Sequence, residues 1–481
     1  MAQTPRLTWL DKNLYGIGAV AYGIKNNGFD YFFLIFYSQV MGVDASLVAT
    51  SLLLALVFDA LSDPAVGYLS DNTRTAWGRR HPYIYAAAVP IAIAYYFMWN
   101  PPASLQGNDL FPYIVVVAIL TRTLLTLFEV PATALAAELT QDYNERTSLL
   151  SFRYFYGWAG GTLMATFVNI VLLAPTADDP QGIFNVAGYG QMGLVASCVM
   201  FTVIVITAIG THRFIPHLKL PPPDQLLSIT RAYKEIYETL VTPQFGALFG
   251  SAMFAAVASG LTAALHYYLQ TFLWGFTTQQ IGYISASVVI SALMAGLLSP
   301  IISSRLGKRN GAIAIGILAF TVQPLMYLLR ILGVMPDNDE PILFPLVLGV
   351  TVFDVALIIV FQTLFTSMIA DLVEDAELKT GRRSEGVFFA GVSFIRKCTQ
   401  GIGGFMAGVL LMVAAFPKGA KLNDVPPEAI YDLTLTYVPT VIILWGLSIF
   451  LIRRYHIDEA SHAATVSALQ LRREEPADYQ A

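Results

Sequence analysis

The sequence predicts an all-α membrane protein with twelve transmembrane helices, arranged as two six-helix bundles. Its composition is the first reason: of 481 residues, 56% are hydrophobic and only 13% are charged. Soluble proteins carry about 25% charged residues, so this apolar excess must face lipid. The second reason is the recurrence of apolar stretches along the whole chain, and the third is an internal repeat.

The apolar stretches are long enough to cross a bilayer, which takes about 20 residues of helix. The predicted spans are 14–40, 47–71, 83–100, 112–138, 150–174, 189–210, 243–273, 279–302, 311–332, 342–370, 387–416 and 433–453.

Basic residues indicate the orientation of these spans, because Lys and Arg accumulate in cytoplasmic loops. One set of alternate loops contains Arg74, Arg79, Arg80, Arg146, Arg213, Lys219, Arg231, Lys234, Arg305, Lys308, Arg309, Lys379, Arg382 and Arg383. The opposite set contains only Lys418 and Lys421. We therefore expect a multi-pass protein of the plasma membrane, the inner membrane in a bacterium, with both termini in the cytoplasm.

A polar stretch divides the spans six and six. We expect an N-terminal bundle at 1–211, a cytoplasmic loop at 212–242, a C-terminal bundle at 243–454 and a cytoplasmic tail at 455–481. The sequence "AAELTQDYNER" after the fourth span has a counterpart, "IADLVEDAELK", after the tenth. Two related bundles with a substrate site near the midplane are typical of secondary transporters.

Two acids, Asp59 and Asp63, lie inside the second predicted span and share one helix face, because they are four residues apart. An ionisable residue at membrane depth costs about 2.5–3.5 kcal/mol on insertion scales, so the pair requires a bound cation, a proton or a basic side chain. Ser62 adds a hydroxyl oxygen, and oxygen-only ligands suit a hard cation such as Na⁺. The sequence therefore predicts a cation site at these residues, with the two acids as the metal ligands. For Asp63, the alternative is a helix cap that pairs with the Arg-rich loop.

Other charges at membrane depth are candidates for a substrate cavity. Arg122 and Glu129 are seven residues apart on the fourth span, so they either line a cavity with Asp59 or satisfy each other. Lys397 is the positive partner expected from the second half. Arg153 is a further candidate, with snorkelling to the interface as its alternative role.

A third group of charges lies in loops of one side and could gate a transport cycle. The arginines of "GRRHP" could meet acids that follow the fourth and tenth spans. The predicted gating residues are Arg79, Arg80, Glu138, Asp142, Asp371 and Asp375. The alternative is that the arginines only set topology.

These residues resemble the glycoside–pentoside–hexuronide cation symporters, which are melibiose-permease-like members of the major facilitator superfamily. The stretch "DALSDPAVGYLSDNTRTAWGRRHP" is similar to the signature of that family's second helix and following loop. The similarity continues in "EVPATALAAEL", "SFRYFYGWAGG" and "ADLVEDAELKTGRRSEGVFFAGVSFIRK", and so covers nearly the whole chain.

The resemblance implies roles for individual residues. It implies that the two acids of the second span bind Na⁺, Li⁺ or H⁺ and that Ser62 tunes the choice of cation. It further implies that Glu129 binds sugar hydroxyls, with Arg153 in helix five and Lys397 near the cation site. The family's galactoside-binding positions differ here, and they fall on Tyr22, Gly23, Thr133 and Gln362.

The function predicted from the sequence is a cation-coupled symporter, driven by Na⁺ or H⁺, for a glycoside or hexuronide-type sugar. The cavity cations Arg122 and Lys25, with Gly23 in place of the family's acid, favour an anionic substrate, and Tyr22 could stack on it. A cation-dependent transporter of lysophospholipids or other amphiphilic anions is the alternative, and a passive facilitator is a third.

Other functional classes are disfavoured. Neither H-E-x-x-H nor G-x-S-x-G occurs, which argues against an enzyme. The sequence also lacks the P-loop motif of nucleotide-driven pumps, which argues against a primary pump. We expect no cofactor beyond the coupling ion and no nucleic acid partner. The expected partners are a small-molecule substrate and membrane lipid, and we expect a monomer.

Overall fold

The computed structural model of the chain describes residues 7–140, 143–218, 243–380 and 401–455, and a few isolated positions outside these ranges. No strand occurs in that part of the chain. Its helices are α1 (Trp9–Gly16), α2 (Ala19–Asn27), α3 (Phe33–Ile35), α4 (Ala45–Asn72), α5 (His81–Trp99), α6 (Phe111–Leu139), α7 (Tyr143–Phe167), α8 (Val186–His212), α9 (Pro243–Tyr268), α10 (Thr278–Ile331), α11 (Leu343–Thr380), α12 (Gly401–Val413) and α13 (Pro427–Ile452).

The predicted spans coincide with helical segments throughout the described ranges. In those ranges, nine helices are long and apolar enough to cross a membrane. Two predicted spans, 279–302 and 311–332, fall together in α10, which is interrupted at Gly307 by a positive φ of 72°. The first predicted span follows α2 and α3, joined and continued by π-helical turns, and the eleventh overlaps α12. The predicted all-α membrane fold is confirmed.

The chain forms two units. The first consists of the described residues of Met1–Gln225, Gly260–Ala286 and Gly401–Leu433. Within it, α4 packs on α6, α5 on α8 and α2 on α7. The contact of α2 with α7 is very close: a Cβ at Gly23 would lie 1.9 Å from the carbonyl oxygen of Gly157. Glycine at this position therefore permits the approach of the two backbones.

The second unit contains the described residues of Leu226–Ser259, Ser287–Gln400 and Thr434–Ala481. Apolar stacking joins α10 to α13, since the rings of Phe320 and Trp445 lie 3.6 Å apart and nearly parallel. A buried hydrogen bond of 2.9 Å between the hydroxyls of Ser251 and Ser448 joins α9 to α13. The predicted loop at 212–242 and tail at 455–481 lie mostly outside the described residues.

Candidate functional site

The candidate cation site lies between α4 and α6 in the first unit. Helix α4 carries Asp59 and Asp63 one turn apart, and α6 carries Arg122 and Thr126 with the same spacing. Residues four apart on a helix share a face, so the packing of α4 on α6 brings the two pairs together.

Thr126 contacts both carboxylates. Its hydroxyl oxygen lies 2.9 Å from Oδ1 of Asp59 and 2.9 Å from Oδ1 of Asp63. A hydroxyl has one proton to donate and two lone pairs to accept with. It can therefore donate to only one carboxylate at a time. Its oxygen can then accept a hydrogen bond from the second carboxyl group, if that group is protonated, or bind a cation held there.

The sequence reasoning missed Thr126. The available signal was its spacing, four residues after Arg122 and three before Glu129, which places all three on one face of α6. A threonine inside an apolar helix commonly bonds to the carbonyl of its own helix, as Thr133 does to Glu129. The sequence alone therefore does not distinguish Thr126 from Thr133.

Arg122 provides a positive charge to the acid pair. Its Nη1 donates to Oδ2 of Asp59 across 3.2 Å, and both side chains are buried. The guanidinium also lies over the ring of Phe29, 4.5 Å from its centre. Arg122 therefore contacts Asp59, and its predicted place in a substrate cavity stays a prediction.

Ser62 lies beside the acid pair, and its hydroxyl donates to the main-chain carbonyl of Asp59 at 3.1 Å. The oxygens that converge are those of Asp59, Asp63 and Thr126. Among the described residues, no group of three or more His, Cys, Asp or Glu side chains could hold a metal ion. Carboxylate and hydroxyl oxygens nevertheless suit a proton or a hard monovalent cation carried as cargo.

The predicted sugar-binding residues lie on α6 and α7. Arg153 is buried, and its Nη2 donates to the carbonyl oxygen of Glu129 over a long 3.4 Å. Its Nη1 has no hydrogen-bond partner among the described residues. The structure thus brings these two residues together, through the main chain of Glu129.

Two further candidates lie on α2. Lys25 is buried within the membrane-spanning region, and its ammonium lies 5.0 Å from the centre of the Tyr22 ring. A cation–π contact of this kind stabilises a buried ammonium. The neighbouring Gly23 has no room for a side chain, because a Cβ there would clash with the carbonyl oxygen of Gly157.

The described gating charges take part in a cluster of ion pairs within each unit. In the first unit, Nε of Arg79 and Nε of Arg80 each donate to Oε1 of Glu138 at 2.9 Å. Arg80 also bonds to Ser70 at 2.6 Å and pairs with Asp71. The arginines thus meet the acid at the end of α6.

The cluster of the second unit repeats this arrangement. Lys308 donates to both carboxylate oxygens of Asp371, at 2.7 and 2.8 Å, and the Tyr455 hydroxyl donates to the same group at 2.9 Å. A glycine with positive φ precedes each basic residue: Gly78 at 74° and Gly307 at 72°. Glu138 and Asp371, which the alignment of the two loop segments pairs, therefore make similar contacts in their own units.

Three predicted residues lie outside what the structure describes. They are Lys397, Asp142 and the side chain of Asp375.

The helical architecture and the buried charges define a multi-pass membrane transporter of the major facilitator fold. A family described as MFS/sugar transport protein matches residues 14–459. The chain belongs to this family, and the prediction of a transporter rather than an enzyme is confirmed.

Relatives cover almost the whole chain at low identity. An uncharacterized symporter of Synechocystis is 26% identical over 98% of this chain and 98% of its own length. The isoprimeverose transporter of Lactiplantibacillus pentosus is 23% identical, covering 94% of this chain and 89% of its own. The sodium-dependent lysophosphatidylcholine symporter 1 of Gallus gallus is 24% identical, with 98% and 90% covered.

A solved structure shares the fold. The nucleoside transporter NupG superposes with a TM-score of 0.58 over 96% of this chain and 100% of its own, at 13% identity. At that identity the likeness concerns the fold alone.

Proposed function

We propose that the protein is a cation-coupled symporter for a small sugar of the glycoside or hexuronide type, working by alternating access. The observation that carries the proposal is the position of Thr126 between two acids, of which Asp59 is buried and Asp63 half-buried. Its hydroxyl can donate to one carboxylate and Arg122 contacts Asp59, and a bound cation or proton would further reduce the repulsion between the two acids. A passive facilitator has no need for such a site.

The sugar class is supported by the family and by the relatives named above. Nearby side chains provide the required chemistry: Arg122, Arg153 and Lys25 are donors to an acidic or hydroxylated ligand.

The proposal includes a topology. Both termini lie in the cytoplasm, the two bundles occupy 1–211 and 243–454, and the protein works as a monomer in a plasma membrane, the inner membrane in a bacterium. The concentration of Lys and Arg in one set of alternate loops supports this orientation.

Uptake into proteoliposomes tests the function. Purified protein is given radiolabelled glycosides and uronides under an imposed Na⁺ gradient, an imposed pH gradient, or neither. We expect accumulation above equilibrium with one gradient and loss of that accumulation in Asp59→Asn. The matched control is Asp354→Asn, which removes a buried acid from α11 in the other unit. Uptake that ignores both gradients would instead indicate a facilitator.

A lysophospholipid substrate is the second candidate. It is favoured by the similarity to the lysophosphatidylcholine symporter and by the buried cations of the first unit. Including lysophosphatidylcholine in the same uptake panel separates the two candidates.

A further inference from the structure

Arg122 does not use all of the hydrogen-bond donors of its guanidinium within the described part of the chain. Its side chain is only 8% exposed, and Nη1 makes a single contact with Asp59 at 3.2 Å. That distance is longer than the 2.7–2.9 Å usual for hydrogen bonds between charged groups. Nε has no hydrogen-bond partner among the described residues.

A buried donor without an acceptor is costly, and this one belongs to a planar group made for two-point contacts. The guanidinium binds carboxylate and phosphate through two parallel N–H donors. Its contact with Phe29 stabilises the charge without occupying any donor. The unused Nε edge therefore suits an anionic ligand.

Asp59 is shared between two kinds of partner. Oδ2 accepts from Arg122, while Oδ1 accepts from Thr126, which also reaches Asp63. A coupling cation that binds at this acid pair must compete with the guanidinium for Asp59. Withdrawing the guanidinium would leave two carboxylates without its charge and so would increase the attraction for a cation.

We propose that Arg122 couples the two ligands by exchanging partners. Without substrate, Arg122 pairs with Asp59 and weakens cation binding. An anionic group of the substrate takes the guanidinium and releases Asp59 to the coupling cation. This inference rests on the proposed function and assigns its substrate to the anionic class, a carboxylate or a phosphate.

The exchange has a thermodynamic consequence that can be measured. The substrate must increase the affinity for the cation by the same factor by which the cation increases the affinity for the substrate. A neutral sugar cannot release Asp59 in this way, because it offers the guanidinium no charge.

Cation binding to the purified protein tests the exchange. Thermal unfolding is followed during a titration with NaCl at constant ionic strength in choline chloride, and in a parallel pH series without Na⁺. Binding to the folded state raises the unfolding midpoint by mass action. Each titration is run alone and with methyl glucoside, methyl glucuronide or glucose 6-phosphate, which compare no charge, a carboxylate and a phosphate.

Four variants accompany the wild type. Arg122→Gln removes the charge, and Arg122→Lys keeps it without the planar fork. Asp59→Asn removes the shared acid. Arg330→Gln is the matched control, because that arginine bonds to Pro336 and Asn338 at the end of α10, in the other unit.

For wild type, we expect either anion, but not the glucoside, to tighten cation binding about tenfold, which corresponds to ~1.4 kcal/mol. Arg122→Gln should bind the cation with that higher affinity already when alone, and neither anion should increase it further. Arg122→Lys should bind the cation as weakly as wild type alone and respond less to the anions. Arg330→Gln should match wild type in every titration.

Two results would overturn the exchange while the cation site stands. In the first, Arg122→Gln binds the cation with the same affinity as wild type, while Asp59→Asn no longer shows a rise of the unfolding midpoint with the cation. In the second, neither anion changes the cation affinity of wild type, or methyl glucoside increases that affinity as much as the anions. If no cation affects wild type or Arg122→Gln, the proposed coupling itself fails and the exchange fails with it.

Discussion

Replacing Thr126 with Val should change how the acid pair binds its cation, with little change in shape. The side chain keeps its branching and exchanges its hydroxyl for a methyl group. In the structure that hydroxyl lies 2.9 Å from a carboxylate oxygen of Asp59 and 2.9 Å from one of Asp63. The substitution therefore removes a hydroxyl that bridges the two acids.

The magnitude follows from the chemistry of a hydroxyl that bonds to a carboxylate. Hydrogen bonds to charged groups contribute about 1.5–3 kcal/mol net, which is ~10- to 150-fold in an equilibrium constant. If the coupling ion is Na⁺, it loses an oxygen ligand and its half-saturating concentration should rise by that factor. If the ion is H⁺, the carboxylates lose a hydrogen-bond donor, and the pH dependence of transport should differ from that of wild type.

The assay is cation-dependent uptake in proteoliposomes, with Na⁺ and pH varied separately. Thr121→Val on the same helix is the control: Thr121 is fully buried, and its hydroxyl has no partner among the described residues. Thr121→Val should leave the cation dependence of uptake unchanged. It should leave the free energy of unfolding unchanged or slightly higher, because it removes an unsatisfied polar atom. Thr126→Ser keeps the hydroxyl and should retain most of the function. Identical Na⁺ and pH dependence in Thr126→Val and Thr121→Val would refute the role of the bridge.

Three further predictions concern stability, and each is measured as the midpoint of thermal unfolding in detergent. Gly23→Ala should destabilise by ~1–3 kcal/mol or prevent folding, because its Cβ would lie 1.9 Å from a carbonyl oxygen of α7. Gly296→Ala, which has open space around it, should not destabilise, and equal effects would contradict the packing argument. Glu138→Gln should cost up to ~3 kcal/mol, because two arginines lose the carboxylate they share; an unchanged midpoint would count against this cluster. The bond from Lys418 holds the pKa of Asp44 below its usual range, so the pair stabilises the fold above about pH 4 and its contribution disappears as pH falls through the lowered pKa. The small difference between wild type and Asp44→Asn should therefore shrink as the pH is lowered, and a difference that stays constant from neutral pH into strong acid would contradict this assignment.

The features of this protein that depend on local geometry could be predicted from the amino-acid sequence. Apolar length predicted the spans, because a bilayer requires a helix of definite length. The four-residue spacing of Asp59 and Asp63 placed them on one face, because helical periodicity is set within a single turn or two. The repeat between the loop segments was visible for the same reason, and Glu138 and Asp371 occupy equivalent places in their clusters.

The contacts between side chains of different helices could be identified only in three dimensions. The tertiary structure assigned a positive charge to Asp59 from Arg122, and it distinguished Thr126 from other threonines that bond to their own helix. The physical reason is that the register between α4 and α6 depends on the packing of both helices with their neighbours. One residue of rotation, about 100°, would carry Thr126 away from the acids, and no pattern within a single helix specifies that rotation.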